Sequence, residues 1–253
     1  MPDRIAAGVD AREEVVVEPW YQLALWIVKP VSLLAFTRHD RGRDNIPRTG
    51  GCIVAVNHIS YADPFVAALF VHDAGRRPRF MGKESVFRIP MFGRILKGAH
   101  QIPVLRESSD AAHALSAATA AVDAGECVVI YPEGTVTRDP DYWPMSAKTG
   151  VARLALATGA PVVPLAQWGA QDVLGRRGRR RLRLRTDVHA VAGEPVDLSP
   201  WMGRELTSQT LREATAAVMS ALRSLVGELR GEAPPAEVHD RSAAADETPR
   251  QTA

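Results

Sequence analysis

His58 and Asp63 stand five positions apart in Gly51-Cys52-Ile53-Val54-Ala55-Val56-Asn57-His58-Ile59-Ser60-Tyr61-Ala62-Asp63-Pro64. An apolar run delivers the imidazole to its end, and the carboxylate follows in a turn. That combination can make a general base, an imidazole with an acid to hold it. Spacing alone is weak: seven His and 15 Asp among 253 residues give roughly 0.4 His-x4-Asp matches by chance. His39 and Asp44 supply a second match inside Arg38-His39-Asp40-Arg41-Gly42-Arg43-Asp44, a charged stretch with no apolar strand leading into it. Only His58 sits where a strand ends and a helix begins. On a helix, residues five apart point about 140° away from each other, and on a strand they face opposite sides. The pair therefore meets only if the chain turns between them. A capping-box-like start at Ser60 places Asp63 in the first turn of a helix, within reach of His58. The plainer alternative is that Asp63 serves the helix N-terminus and His58 is an ordinary loop histidine.

Three more clusters carry chemistry. Tyr131-Pro132-Glu133-Gly134-Thr135-Val136-Thr137-Arg138 also follows an apolar run. Its Gly/Thr turn chemistry suits an anion or polar headgroup, and Glu133 can bind hydroxyls or hold an arginine; a simple β-turn is the alternative. Ligands of open α/β sheets bind beyond the carboxyl ends of strands, so the two clusters are expected to share one site. Arg106 follows the strand-like residues 102–105 and can grip a phosphate bidentately; otherwise it is a surface charge. Arg176, Arg177 and Arg179–Arg181, continuing to Arg183 and Arg185, can meet an anionic lipid or a phosphorylated carrier, or form a solvated hairpin. No aromatic stacking pattern or nucleic-acid motif accompanies them, so no nucleic-acid partner is expected.

The rest of the chain must position these residues. The length fits one α/β domain, 46% hydrophobic residues can fill a core, and the formal charge of +2 is no polyanion-binding signature. Cys52 and Cys127 lie in apolar runs and read as inert core thiols. Cys/His metal spacing is lacking, so no metal is expected. Acidic residues precede the first apolar stretch, which argues against a signal peptide. That stretch, residues 20–36, is broken by Lys29-Pro30 and falls short of the ~20 residues that span a bilayer. With Trp20, Tyr21 and Trp26 it reads as an interfacial helix, or else as a helix packed on the protein's own core. Residues 38–50 read as a loop. Residues 53–56, 79–81, 102–105, 127–131, 162–165 and 181–191 read as strands, with Pro103 placing its strand at an edge or a bulge. Residues 60–71, 109–124, 148–158 and 206–229 read as helices, and residues 83–97 as helix and turn. The expected fold is α/β, a single domain with a mostly parallel mixed sheet flanked by helices. It divides into an N-terminal segment (1–37), the main domain (38–230) and a disordered tail (231–253).

Together the pieces resemble the PlsC-like glycerolipid acyltransferases, the 1-acyl-glycerol-3-phosphate acyltransferase family, in order over roughly residues 40–170. Asn57-His58-x4-Asp63, with Gly42 and Asn45-Ile46-Pro47 before it, is similar to the family's first block. Lys83, Phe87, Pro90 and Gly93 resemble the segment that follows. Residues 102–106 are similar to the second block, Pro132-Glu133-Gly134-Thr135 to the third and Val162-Val163-Pro164-Leu165 to the fourth. The resemblance implies that His58 takes the proton of an acceptor hydroxyl and that Asp63 orients it. Asn57, Lys83, Arg106, Glu133, Gly134, Thr135 and Arg138 are implied as substrate contacts. Acyl-CoA or acyl carrier protein would be the donor, a lysophospholipid the acceptor and a membrane surface the workplace, on the cytoplasmic side, with no cofactor. Three positions depart from the pattern. His100 stands where the second block usually begins with Gly, Leu105 where a polar residue is common, and Val136 where an Arg commonly follows Glu-Gly-Thr. The nearest competing expectation is a related acyltransferase acting on another lysolipid, glycerol-3-phosphate or other hydroxyl acceptor, with a thioesterase or a non-catalytic lipid-binding module more remote.

Overall fold

The computed structural model describes residues 19–104, 108–174 and 185–240. Its strands are β1 (Phe36–Arg41), β2 (Cys52–Val56), β3 (Pro78–Lys83), β4 (Ile102–Val104), β5 (Cys127–Ile130), β6 (Val162–Trp168) and β7 (Thr186–Ala192). They form one sheet in the order β1-β7-β6-β2-β5-β3-β4, in which every neighbouring pair is parallel except β6 with β7. The helices are α1 (Pro19–Ala35), α2 (Asp63–Asp73), α3 (Glu84–Phe87), α4 (Phe92–Gly98), α5 (Ser108–Asp123), α6 (Gly150–Thr158) and α7 (Ser208–Arg230).

Strand β2 shows why the layers form. All five of its residues are buried, as expected for a strand covered on both faces. Its side chains alternate. Cys52, Val54 and Val56 join a core with Val66, Ala67 and Phe70 of α2. Ile53 and Ala55 join a second core with residues of α5, α6 and α7. The two cysteines are buried, unoxidised and opposite one another in the β2–β5 register. Pro103 lies on β4, at the sheet edge, where its missing N–H is tolerated. Pro164 lies on the interior strand β6, yet its carbonyl accepts from Gly193, just past the end of β7. Its missing N–H therefore falls where the β7 ladder stops.

The structure corrects three expectations. Residues 38–50 are not all loop, because Phe36–Arg41 forms β1, which pairs with β7 from Phe36↔Thr186 to Arg41↔Val191. Charged side chains hid it, as is common on edge strands. His39 accordingly pairs with Asp187 rather than Asp44 (2.8 Å) and stacks on His189, at the surface. The expected tail from Gly231 is structured to residue 240: Ser146 N–H donates to His239 O (2.9 Å), and Arg223 donates to the carbonyls of Pro144 and Pro235. Ser60 does not cap α2. The helix begins at Asp63 with Pro64 in its first turn, and the residue before it makes no side-chain cap. Residues 241–253, Arg106 and the basic residues Arg176–Arg183 lie outside the described residues.

Helix α1 packs and projects at once. Tyr21 and Leu25 bury against Leu69 of α2, and the Tyr21 hydroxyl meets His72 Nδ1 at 2.9 Å. Trp20 lies so close to Gly98 of α4 that a Cβ there would meet its ring at 2.2 Å. The opposite side leaves Trp26, Leu33 and Leu34 at 79%, 73% and 67% exposure. No helix among the described residues is long and apolar enough to cross a membrane.

Candidate active site

Because β2, β5 and β6 are parallel, their carboxyl ends gather at one edge of the sheet. His58 follows β2 by two residues and Tyr131 follows β5 directly. Between His58 and α2 the chain makes the turn that the five-residue spacing demands. His58 Nδ1–H donates to Asp63 Oδ2 at 2.8 Å. The same oxygen accepts the backbone N–H of Ile59 (2.6 Å) and Ser60 (2.8 Å). Asp63 is fully buried, whereas the His58 side chain keeps 15% exposure. Burial pushes the Asp63 carboxyl above its usual range, and the hydrogen bonds from His58, Ser60 and Ile59 pull against that shift. With Nδ1 committed to Asp63, Nε2 is the nitrogen left to accept a proton. Ser60 anchors the turn: its Oγ accepts from Ala62 N–H (2.9 Å) and reaches the carbonyls of Ala170 and Leu174.

The cluster after β5 grips the backbone of His58 on both sides. Glu133 Oε1 accepts His58 N–H at 2.8 Å, and Thr137 N–H donates to His58 O at 2.6 Å. The other Glu133 oxygen accepts Met145 N–H at 3.1 Å. Glu133 is fully buried. Burial drives its carboxyl up to about 8, against the lowering effect of the His58 and Met145 amides and with a small push from Asp63. Glu133 therefore braces two loops. Asn57 is bonded within the protein in the same way. It is fully buried, its Nδ2 donates to Gln167 O (3.0 Å) and its Oδ1 accepts Gln167 N–H (2.8 Å). It clasps the end of β2 to β6.

Of the remaining expected contacts, Gly134 and Arg138 are exposed and Thr135 is half-buried, all on the loop after β5. Val136 is buried between them. Lys83 is exposed at the carboxyl end of β3, in register with Val104 of β4. That places the strand preceding Arg106 beside it, while Arg106 itself is outside the described residues. Gly93 matters for a packing reason: a Cβ there would meet Phe87 O at 2.0 Å, so only glycine lets α4 approach the turn after α3. His100 is exposed and holds φ +54°, the left-handed region. The glycine usual in the second block suits that backbone, and histidine sits there under strain.

Sequence reasoning gave no role to Arg230. Its guanidinium lies over both Trp143 (4.2 Å) and Trp168 (4.6 Å) and donates to Asp141 O. It thereby pins the loop that carries the Met145 amide to the end of β6. A run of aromatic and basic residues in a loop and a distant helix end is too common to signal such a clamp.

A family profile described as Acyltransferase matches residues 38–168, which span β1 to the end of β6 and contain the whole His58–Asp63–Glu133 arrangement. The chain belongs to the acyltransferase family. It is 26% identical over 169 residues to the chloroplastic 1-acyl-sn-glycerol-3-phosphate acyltransferase BAT2 of Brassica napus, covering 66% of this chain and 47% of that one. It is 30% identical over 132 residues to the 1-acyl-sn-glycerol-3-phosphate acyltransferase of Borreliella burgdorferi, covering 52% and 51%. An uncharacterized Mycobacterium leprae protein is 32% identical over 143 residues, covering 52% and 36%. The chain thus spans about half or less of the length of these curated relatives. The crystal structure of the 1-acyl-sn-glycerophosphate acyltransferase PlsC of Thermotoga maritima shares the fold, with TM-score 0.58 at 24% identity over 85% of this chain and 78% of that one.

Proposed function

We propose that this acyltransferase moves a fatty acyl group from acyl-CoA or acyl carrier protein to the free hydroxyl of 1-acyl-glycerol-3-phosphate, forming phosphatidic acid. The observation that carries the reading is the 2.8 Å bond from His58 Nδ1 to the fully buried Asp63, which leaves Nε2 as the base. Nε2 takes the acceptor proton as the hydroxyl oxygen attacks the thioester carbonyl carbon. The tetrahedral intermediate collapses with loss of the C–S bond, and the imidazolium returns the proton to the departing sulfur. Asp63 holds the tautomer and offsets the imidazolium charge. Acid–base help of this kind supplies about 10²–10⁴-fold, so juxtaposing two substrates must supply much of the remainder. Lys83 at the end of β3, Arg106 shortly after β4 in sequence, and Thr135 and Arg138 on the loop after β5 are the proposed phosphate and headgroup contacts.

The proposed workplace is the cytoplasmic face of the cell membrane, with α1 lying in the interface. Its exposed Trp26, Leu33 and Leu34 support this, as do the exposed Ile89, Met91 and Phe92 around the start of α4. A different hydroxyl acceptor is the second reading, favoured by one observation: the position after Glu-Gly-Thr carries a buried valine, Val136. The test is purified protein with radiolabelled palmitoyl-CoA and lysophosphatidic acid in mixed micelles, beside His58→Ala. His58-dependent phosphatidic acid is expected. Free fatty acid alone would replace this reading with a thioesterase, and substantial transfer by a folded His58→Ala would remove His58 from the mechanism.

A further inference from the structure

Tyr131 ends the apolar run of β5, and its ring lies against that of His58, with centroids 4.3 Å apart and planes tilted by 31°. Phe80 of β3 stacks beside it at 6.4 Å. The phenol oxygen is buried, and so are Gln167 Oε1 and Asp63 Oδ1. None of the three has a well-formed hydrogen bond among the described residues. The Gln167 side-chain amide and the Asp63 charge both act on the phenol, and burial holds that phenol well above its usual range. A tyrosine hydroxyl has one proton to donate, whereas an amide oxygen and a carboxylate oxygen only accept. Buried polar atoms left without a partner are costly, and the phenol and the Gln167 amide can relieve one another.

We propose that Tyr131 is a positioning residue for the His58–Asp63 pair: its ring sets the plane of the imidazole, and its hydroxyl anchors that ring against the Gln167 side-chain amide. This rests on the reading of His58 as the base. The imidazole would otherwise be held by a single bond at Nδ1, about which it can still swivel. A flat ring at van der Waals distance removes that freedom, and an aromatic face does so without competing for Nε2. Gln167 couples the arrangement to the sheet, because its Nε2 donates to Asn57 O at 3.2 Å.

Tyr131→Phe keeps the ring and deletes the donor, while Tyr131→Leu deletes both. Two readouts separate positioning from general loosening: kcat against KM for acyl transfer, and the low-field proton resonance of the His58 Nδ1–H···Asp63 bond, assigned with His58→Gln. For Tyr131→Phe we expect native KM, kcat lower by about fivefold, the value of one neutral hydrogen bond, and a displaced but sharp resonance. For Tyr131→Leu we expect kcat lower by at least about thirtyfold with little change in KM, and a resonance broadened by exchange. Native kcat and an unmoved resonance in both variants would overturn the proposal. So would equal losses that follow thermal stability while the resonance stays in place. If the leucine variant does not fold, the kcat and resonance of Tyr131→Phe decide alone. If the native protein transfers no acyl group, the proposed function falls, while the resonance still decides the placement of Tyr131.

Discussion

Asp63→Asn removes one charge and almost no volume, which makes it the sharpest probe of the pair. Three donors converge on Oδ2: the imidazole Nδ1–H and the amides of Ile59 and Ser60. An asparagine must place its oxygen there, because the flipped amide would point N–H at N–H. The imidazole therefore keeps its tautomer, and the loss is one of charge. Two unit charges 2.8 Å apart interact by about 6 kcal/mol at an effective dielectric of 20. Roughly half is retained as the neutral hydrogen bond and as relief from burying a carboxylate. The remaining ~3 kcal/mol opposes formation of the imidazolium and lowers kcat about 10²-fold, with KM nearly constant because the ground state holds a neutral imidazole. The new amide N–H₂ occupies the place of Oδ1, which has no partner among the described residues, so folding stability falls by about 1–3 kcal/mol. Thiol release from acyl-CoA gives the initial rate, and urea unfolding gives the stability. A kcat within about threefold of the native value in a folded Asp63→Asn protein would refute the role assigned to the carboxylate.

Other outcomes follow from the same geometry. Glu133 is held up to about 8 by burial, so between the ordinary carboxyl range and pH 8 the folded chain binds more protons than the unfolded one. Its contribution to stability is therefore fullest at the acidic end and is lost as the pH rises through about 8, with a slope of at most ~1.4 kcal/mol per pH unit. Denaturant curves at several pH values should show this slope in the native protein and not in Glu133→Gln; equal slopes would contradict it. His100→Gly should raise stability by about 1 kcal/mol through relief of the left-handed backbone, and a lower melting temperature would count against that strain. Replacing Trp26, Leu33 and Leu34 together with serine should weaken sedimentation with anionic vesicles by more than about tenfold while leaving the fold intact. Undiminished vesicle binding would remove α1 from the membrane contact.

Much of this arrangement was legible in the chain. Two continuous apolar runs, ending at Val56 and Tyr131, identified two central strands and placed both polar clusters at their carboxyl ends. The geometry of a five-residue step required a turn between His58 and Asp63, and the turn is there. Pro103 marked an edge strand correctly. Other features were hidden for physical reasons. Strand β1 is charged because it lies at an edge, so composition made it look like a loop. The start of α2 was misplaced because Ser60 spends its hydroxyl on residues near 170, which no local pattern announces. Residues 231–240 carry few large apolar groups, yet they are held by Arg223 and by the backbone around Ser146.

By itself the sequence determined the fold class, the site's place at the strand ends and the His58–Asp63 pair, because these depend on short-range periodicity and on distances set by a few bonds. Tertiary structure alone decided which polar side chains are spent on the protein's own backbone. Asn57 reaches across 110 positions to Gln167, and Glu133 across 75 to His58. Both are spent on backbone groups that burial would otherwise leave unpaired. A motif names residues that occur together, whereas the demand of buried N–H and C=O groups for partners settles what each one does.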